Sequence, residues 1–187
     1  MDKPREGPLH NAAQAGDAQQ VARLIAEGVV VDAGDFRMYT PLHIAAGMAA
    51  AEVVAMLLDA GADAGALTVF QDTPLHRVAH GLVGAADARL EIIDRLLDAG
   101  CPLNAVDTAG RTALWYAAGT GTTPWTPEQQ ITRFRVLQHL LDRGADPSIA
   151  ARGKQGRPID AARGLHQMKK YRIEWAEGVV LLEQHGQ

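Results

Sequence analysis

Residues 40–46 read Thr-Pro-Leu-His-Ile-Ala-Ala, and the same opening returns along the chain. GPLH stands at 7–10, TPLH at 40–43 and again at 73–76, TALW at 112–115 and RPID at 157–160. These starts lie 33, 33, 39 and 45 residues apart. A second ladder runs in step: LIAEG ends at Gly28, LLDAG at Gly61 and Gly100, and LLDRG at Gly144, with VVLLEQHG at 179–186 as a looser fifth copy. Two ladders with the same drift mark an internal repeat, which has to be recognised before any site is sought.

Each part of the unit has a physical reason. Thr before Pro supplies an N-cap oxygen, and Pro follows at the first helical position, where its missing N–H is harmless. Leu and the Ala pair give a short helix with a small-residue face for close packing. Val53, Met56, Leu57 and Leu58 form the apolar stripe of a second helix. Gly61 sits where that helix needs a left-handed C-cap. The stretch that follows, as in 104–110, predicts a turn-like finger leading to the next unit.

The pattern resembles the ankyrin repeat, a unit of about 33 residues with a T-P-L-H-x-A signature. The resemblance rests on Thr40-Pro41-Leu42-His43-Ile44-Ala45-Ala46 and on Glu52 through Asp63, EVVAMLLDAGAD. It covers about residues 7–186 and implies an all-α ankyrin-repeat solenoid of five helix-turn-helix units with short finger loops and capped ends. The expected repeats are 7–35, 36–68, 69–107, 108–151 and 152–187, in a single domain over 1–187. No one unit can bury its own apolar face, so the five must stack.

Departures from the pattern are informative. The two long spacings place insertions between the helices of repeats three and four, near 81–89 and 119–133, the latter reading GTGTTPWTPEQQITR. Solenoid insertions map to loops on one face, often the binding face. The finger tips also differ: Met38 stands where the family places glycine, flanked by Phe36, Arg37 and Tyr39, and finger two carries Phe70 and Gln71. Loss of that glycine puts the turn geometry of the first two fingers in question.

Composition sets the outer bounds. The 187 residues are 47% hydrophobic and 21% charged, as in a folded globular protein. No 18-residue apolar run exists, the start lacks a secretory h-region, and the single Cys101 cannot form an internal disulfide, so a cytoplasmic protein without membrane contact is expected. Charge is uneven: residues 1–142 hold 10 Lys/Arg against 17 Asp/Glu (−7), 143–172 hold 8 against 2 (+6), and 173–187 none against 3 (−3).

Chemistry-bearing motifs are weak. His10, His43 and His76 are the signature histidines, to which the family resemblance gives an inter-repeat hydrogen-bonding role. His76 and His80 have a spacing that suits zinc, but no third ligand cluster follows. The run GTGTT at 119–123 lacks the Lys of a phosphate loop and follows a repeat helix. The sequence therefore predicts no catalytic residues, no metal and no cofactor. The basic segment 143–172 is short of aromatic interleaving, and the overall pI is about 5.9, which argues against RNA or DNA as the partner. Trp115, in the signature His position next to Tyr116, reads as a local repacking.

What the resemblance implies is a non-catalytic protein-interaction module, monomeric alone, that binds a protein partner in the groove of finger tips and first helices. The aligned contact positions are Phe36, Arg37, Tyr39, Met48, Phe70, Asp72, His80, Arg111 and Thr120, with Trp125 extending the rim from the insertion. Because repeats fill the sequence, a stand-alone inhibitor or immunity-type partner is the sharper expectation. An injected effector that engages a host protein through the same groove is the alternative.

Overall fold

The computed structural model describes residues 7–81, 83–119, 126–153, 155–166 and 176–186. Among them are ten helices: α1 (Pro8–Ala15), α2 (Ala18–Ala26), α3 (Pro41–Gly47), α4 (Ala51–Asp59), α5 (Pro74–His80), α6 (Ala86–Asp98), α7 (Ala113–Ala118), α8 (Pro127–Asp142), α9 (Pro158–His166) and α10 (Ala176–His185). The first helices α1, α3, α5, α7 and α9 stack in order, and the second helices α2, α4, α6, α8 and α10 stack in a parallel layer. This is an all-α solenoid of helix pairs, and no helix among the described residues is long and apolar enough to cross a membrane.

The layers form because the same positions are apolar in successive units. Leu9, Leu42, Leu75 and Leu114 are buried at the start of the first helices, each followed three and four residues on by small or β-branched residues such as Ala45 and Ala46. In the second helices Val21, Val54, Ile93 and Leu137 align, as do Leu24, Leu57, Leu96 and Leu140. Burial of one such side chain is worth roughly 1.5–3 kcal/mol, and only stacking supplies it here. In α4 the buried set is Val53, Val54 and Leu57, while Met56 and Leu58, expected in the stripe, pack only against its margin. The second helices end on Gly28, Gly61, Gly100 and Gly144, all left-handed, and Gly61 N–H and Ala62 N–H bond the carbonyls of Leu58 and Leu57.

Successive units are bolted together by histidine. In His43, Nδ1 accepts the Thr40 N–H at 3.2 Å and lies 2.9 Å from the Thr40 hydroxyl. The ring proton therefore sits on Nε2, which donates to the Asp72 carbonyl in the next finger at 3.1 Å. His10 repeats the arrangement with Gly7 and the Tyr39 carbonyl, and His76 with Thr73 and the Arg111 carbonyl. Both nitrogens of His76 are thus engaged in hydrogen bonds. Among the described residues no group of three or more His, Cys, Asp or Glu is placed to hold a metal. Cys101 is buried, and burial pushes its thiol above the usual range.

The insertions are not simply loops. Residues 126–133 were expected within one, but they fold into the front of α8, where Thr126 is the N-cap, Pro127 the first helical residue, and Gln129 closes a capping box with bonds of 3.0 and 3.2 Å. The helices α6 and α8 are 13 and 16 residues long, against 9 for α2 and α4. Each lengthened helix carries a buried arginine eleven residues before its terminal glycine: Arg89, 1% exposed, and Arg133, 2% exposed. Arg89 donates to the Val78 carbonyl at 2.5 Å and to the Val83 carbonyl, and Arg133 to the Tyr116 carbonyl at 2.7 Å. Where the tight turn is lost, a guanidinium satisfies carbonyls at the end of the first helix and complements its dipole. Gly81 makes room, since a Cβ there would fall 2.8 Å from both terminal nitrogens of Arg89.

Two outcomes are expected. Arg89→Met keeps the volume but leaves the Val78 and Val83 carbonyls without a donor, so urea denaturation should show a loss of about 2 kcal/mol. Burial holds His43 at about 4, below the 6.5 of the unfolded chain, so its neutral form stabilises the fold fully above pH 6.5 and is progressively less favoured as pH falls towards 4. His43 alone should remove about 2 kcal/mol between pH 7.5 and pH 5. Its contribution is the part of the acid-induced loss that His43→Gln abolishes.

Candidate partner-binding groove

Each finger is a tight turn knotted by one side-chain oxygen. Asp35 Oδ1 accepts the N–H groups of Arg37 and Tyr39, both at 2.8 Å, while the Asp35 N–H bonds the Tyr39 carbonyl at 3.0 Å. In finger two Thr68 Oγ1 does this for Phe70 and Asp72, and in finger three Asp107 Oδ1 does it for Ala109 and Arg111. Neighbouring fingers bond one another through Val69 N–H to Arg37 O, Thr108 N–H to Phe70 O, and Arg152 N–H to Ala109 O. The fingers thus form a backbone ladder along one edge of the stack.

The turn geometry of the first two fingers, in question from sequence, is retained. Met38 takes φ 64° and Gln71 φ 61°, the left-handed conformation that Gly110 takes at 76° in finger three. Two side chains with a Cβ are therefore held where glycine would be less strained, at a cost of about 1–2 kcal/mol each. The cap hydrogen bonds and the ladder impose the conformation.

The expected contact residues divide into two groups. Phe36 and Phe70 are exposed at the tips (59% and 44%), with Arg37 exposed beside them and its guanidinium 5.1 Å from the Phe36 ring centre. Met48 is exposed at the end of α3, away from those rings in sequence. Tyr39, Asp72 and Arg111 hold equivalent places in successive fingers and face the first helices. Tyr39 is half-buried, edge-on to His43 at 5.8 Å. Asp72, expected to be displayed, is only 8% exposed, and burial raises its carboxyl pKa. Trp125 and Thr120 lie outside the described residues.

Asp72, His80 and Arg111 come together with His76, Arg77 and Tyr116 around a cavity of about 260 Å³. Arg111 bonds Asp107 Oδ2 at 2.7–2.8 Å, and the Tyr116 hydroxyl donates to the same oxygen at 2.8 Å. Burial alone would raise the Asp107 pKa, but these bonds outweigh it and hold the carboxyl below its usual range. Arg111 lies over the rings of Tyr116 (4.7 Å) and Trp115 (5.5 Å). Trp115 itself packs edge-on to Tyr116, its Nε1 buried and without a hydrogen-bond partner. The wall residues Arg77 and Tyr116 were not singled out from sequence, yet both stand at the variable x of T-P-L-H-x-A, where Ile44 stands in repeat two.

In the basic segment, Arg143 pairs with Asp94 and Asp98, Arg157 with Asp160, and Arg163 with Glu183. Lys154, Lys169, Lys170 and Arg172 lie outside the described residues, as do Tyr171 and Trp175. His139, isolated in sequence, bonds Asp94 across α6 and α8 at 2.8 Å.

Residues 1–68 match the family model described as ankyrin repeats (3 copies), a stretch that holds α1 to α4. No curated protein matches the chain.

If finger two is strained rather than selected for its side chain in folding, Gln71→Gly should raise the stability by about 1 kcal/mol. A thermal melt checks this. An unchanged or lowered midpoint would mean that the Gln71 side chain has a folding role that offsets the strain.

Proposed function

The chain is an ankyrin-repeat protein, and we propose that it binds a protein partner through the inner face formed by its finger tips and first helices. Ankyrin repeats are in general protein-interaction modules, and the family is typically non-catalytic. The observation that supports this surface here is the pair of exposed rings, Phe36 and Phe70, on turns that hold Met38 and Gln71 left-handed. Exposed aromatics on strained turns have no folding rationale, and both features cluster at binding surfaces. The finger ladder keeps the rings in place before contact, so little ordering entropy is lost on association.

The sharper reading is that the protein acts in the cytoplasm as an inhibitor or immunity-type partner. A preformed, rigid surface that docks without rearrangement masks whatever it covers. Arg143, Arg157 and Arg163 are already neutralised by carboxylates of the same chain, which leaves less of the basic segment for a phosphate backbone.

Affinity purification from the native host tests the surface. The wild-type chain should capture a protein that a Phe36→Ala/Phe70→Ala variant of unchanged melting temperature does not, with affinity weakened by about 30-fold or more. Equal capture by both would place the interface elsewhere. An inhibitory role requires that the captured protein lose activity when bound.

A further inference from the structure

The cavity beside the fingers is lined by a cation that has no ion-pair partner among the described residues. Arg77 projects from α5 with its guanidinium 5.2 Å from the Tyr39 ring centre. Among the described residues it forms no ion pair, and its Nε is buried without a hydrogen-bond partner. The other arginines here have polar partners for their terminal nitrogens: Arg111 pairs with Asp107, while Arg89 and Arg133 donate to backbone carbonyls near the end of α5, although the Nε of Arg89, like that of Arg77, is buried without a hydrogen-bond partner. Four guanidiniums, Arg77, Arg89, Arg111 and Arg133, thus converge on this end of α5 against two carboxylates, Asp72 and Asp107. Partial burial of the His80 ring, together with Arg77, Arg133, Arg111 and Arg89, lowers its pKa to about 4, although the residue keeps an exposed edge. The site is an electropositive island in a region, residues 1–142, that carries 10 Lys/Arg against 17 Asp/Glu.

We propose that this cavity receives one carboxylate side chain, an aspartate or glutamate of the partner protein, on the Arg77 guanidinium. The assignment rests on the groove reading above and adds the chemistry of one contact. The guanidinium lies over Tyr39 at the cavity wall, and its planar fork is suited to a bidentate bond to a carboxylate. Asp72 also lines the cavity, and its charge opposes a divalent anion more strongly than a monovalent one. That favours a carboxylate over a phosphate, and the surrounding net negative charge disfavours a polyanion. The Phe36 and Phe70 tips and this cavity lie on one edge of the stack, so a single partner segment can meet the apolar ridge and the cation together.

The test uses the full chain and a glutamate residue blocked as an N-acetyl methylamide, followed at the Arg77 Nε–H resonance by NMR. A saturable shift is expected at concentrations on the order of millimolar, absent with the blocked glutamine and absent in Arg77→Gln. Asp72→Asn should tighten glutamate binding by about 3-fold by removing the opposing charge, an effect that a purely packing role for Arg77 would not produce. Arg77→Lys, which keeps the charge without the fork, should bind more weakly than the wild type. The proposal is overturned if blocked glutamate shifts Arg77 no more than it shifts the outer-surface Arg23. It is also overturned if inorganic phosphate binds the wild type more tightly than glutamate, which would point to a phosphorylated partner. Because the titration needs no partner, a negative result alongside Phe36- and Phe70-dependent capture removes the carboxylate pocket and leaves the groove standing. Loss of that capture with a positive titration does the reverse.

Discussion

One imidazole geometry holds the stack together. In His10, His43 and His76 the ring accepts at Nδ1 from the cap of its own helix and donates from Nε2 to the finger of the next unit. The two bonds need one neutral tautomer, which burial favours in His43 and His76. The same contact caps a helix that is only seven or eight residues long and fixes the height of the following finger. Helices this short are marginal alone, so their order depends on that dual role and on the leucine layers that the bond brings into register.

Finger position in turn decides what the protein can present. Since the histidine bonds land on the carbonyls of Tyr39, Asp72 and Arg111, the side chains of those residues are aimed at the first helices. The result is a half-enclosed strip on the inside, aromatic at one end and charged in the middle, below a ridge of exposed apolar tips. Arg77 and Tyr116, at the one free position of the helix signature, complete the strip. A constant scaffold with variable residues at a few addressed places is how one fold serves unrelated partners.

Much of this was legible in the sequence because repetition averages out local ambiguity. TPLH and LLDAG, seen together at matching intervals, specify caps, helix pairs and left-handed ends, and the structure has them. The 119–133 segment was harder to read. Its Gly-Thr-Pro content suggests a loop throughout, yet Thr126-Pro127 with Gln129 is a helix start of the same kind as Thr40-Pro41 with His43. The signal was present, but the neighbouring glycines and threonines masked it. Arg89 and Arg133 were also visible in principle, each eleven residues before the terminal glycine in the two repeats that carry insertions and in no other. Their burial could not be read from charge alone, because an arginine inside a core is intelligible only once the broken turn beside it is seen. Asp72 erred the other way. Its finger position suggested display, and the histidine bond to its carbonyl draws it inward.

The histidine series stops at repeat four. There Trp115 takes the imidazole's place, and its indole nitrogen has no hydrogen-bond partner among the described residues, so the junction between the fourth and fifth units lacks the histidine clamp and is joined at the fingers by the Arg152–Ala109 backbone bond. The solenoid is therefore not mechanically uniform. Pulled from its two ends, it would part first at this seam, shedding the C-terminal helix pair while the four clamped units stay together. The surface proposed to meet a partner lies on the side of the seam that holds.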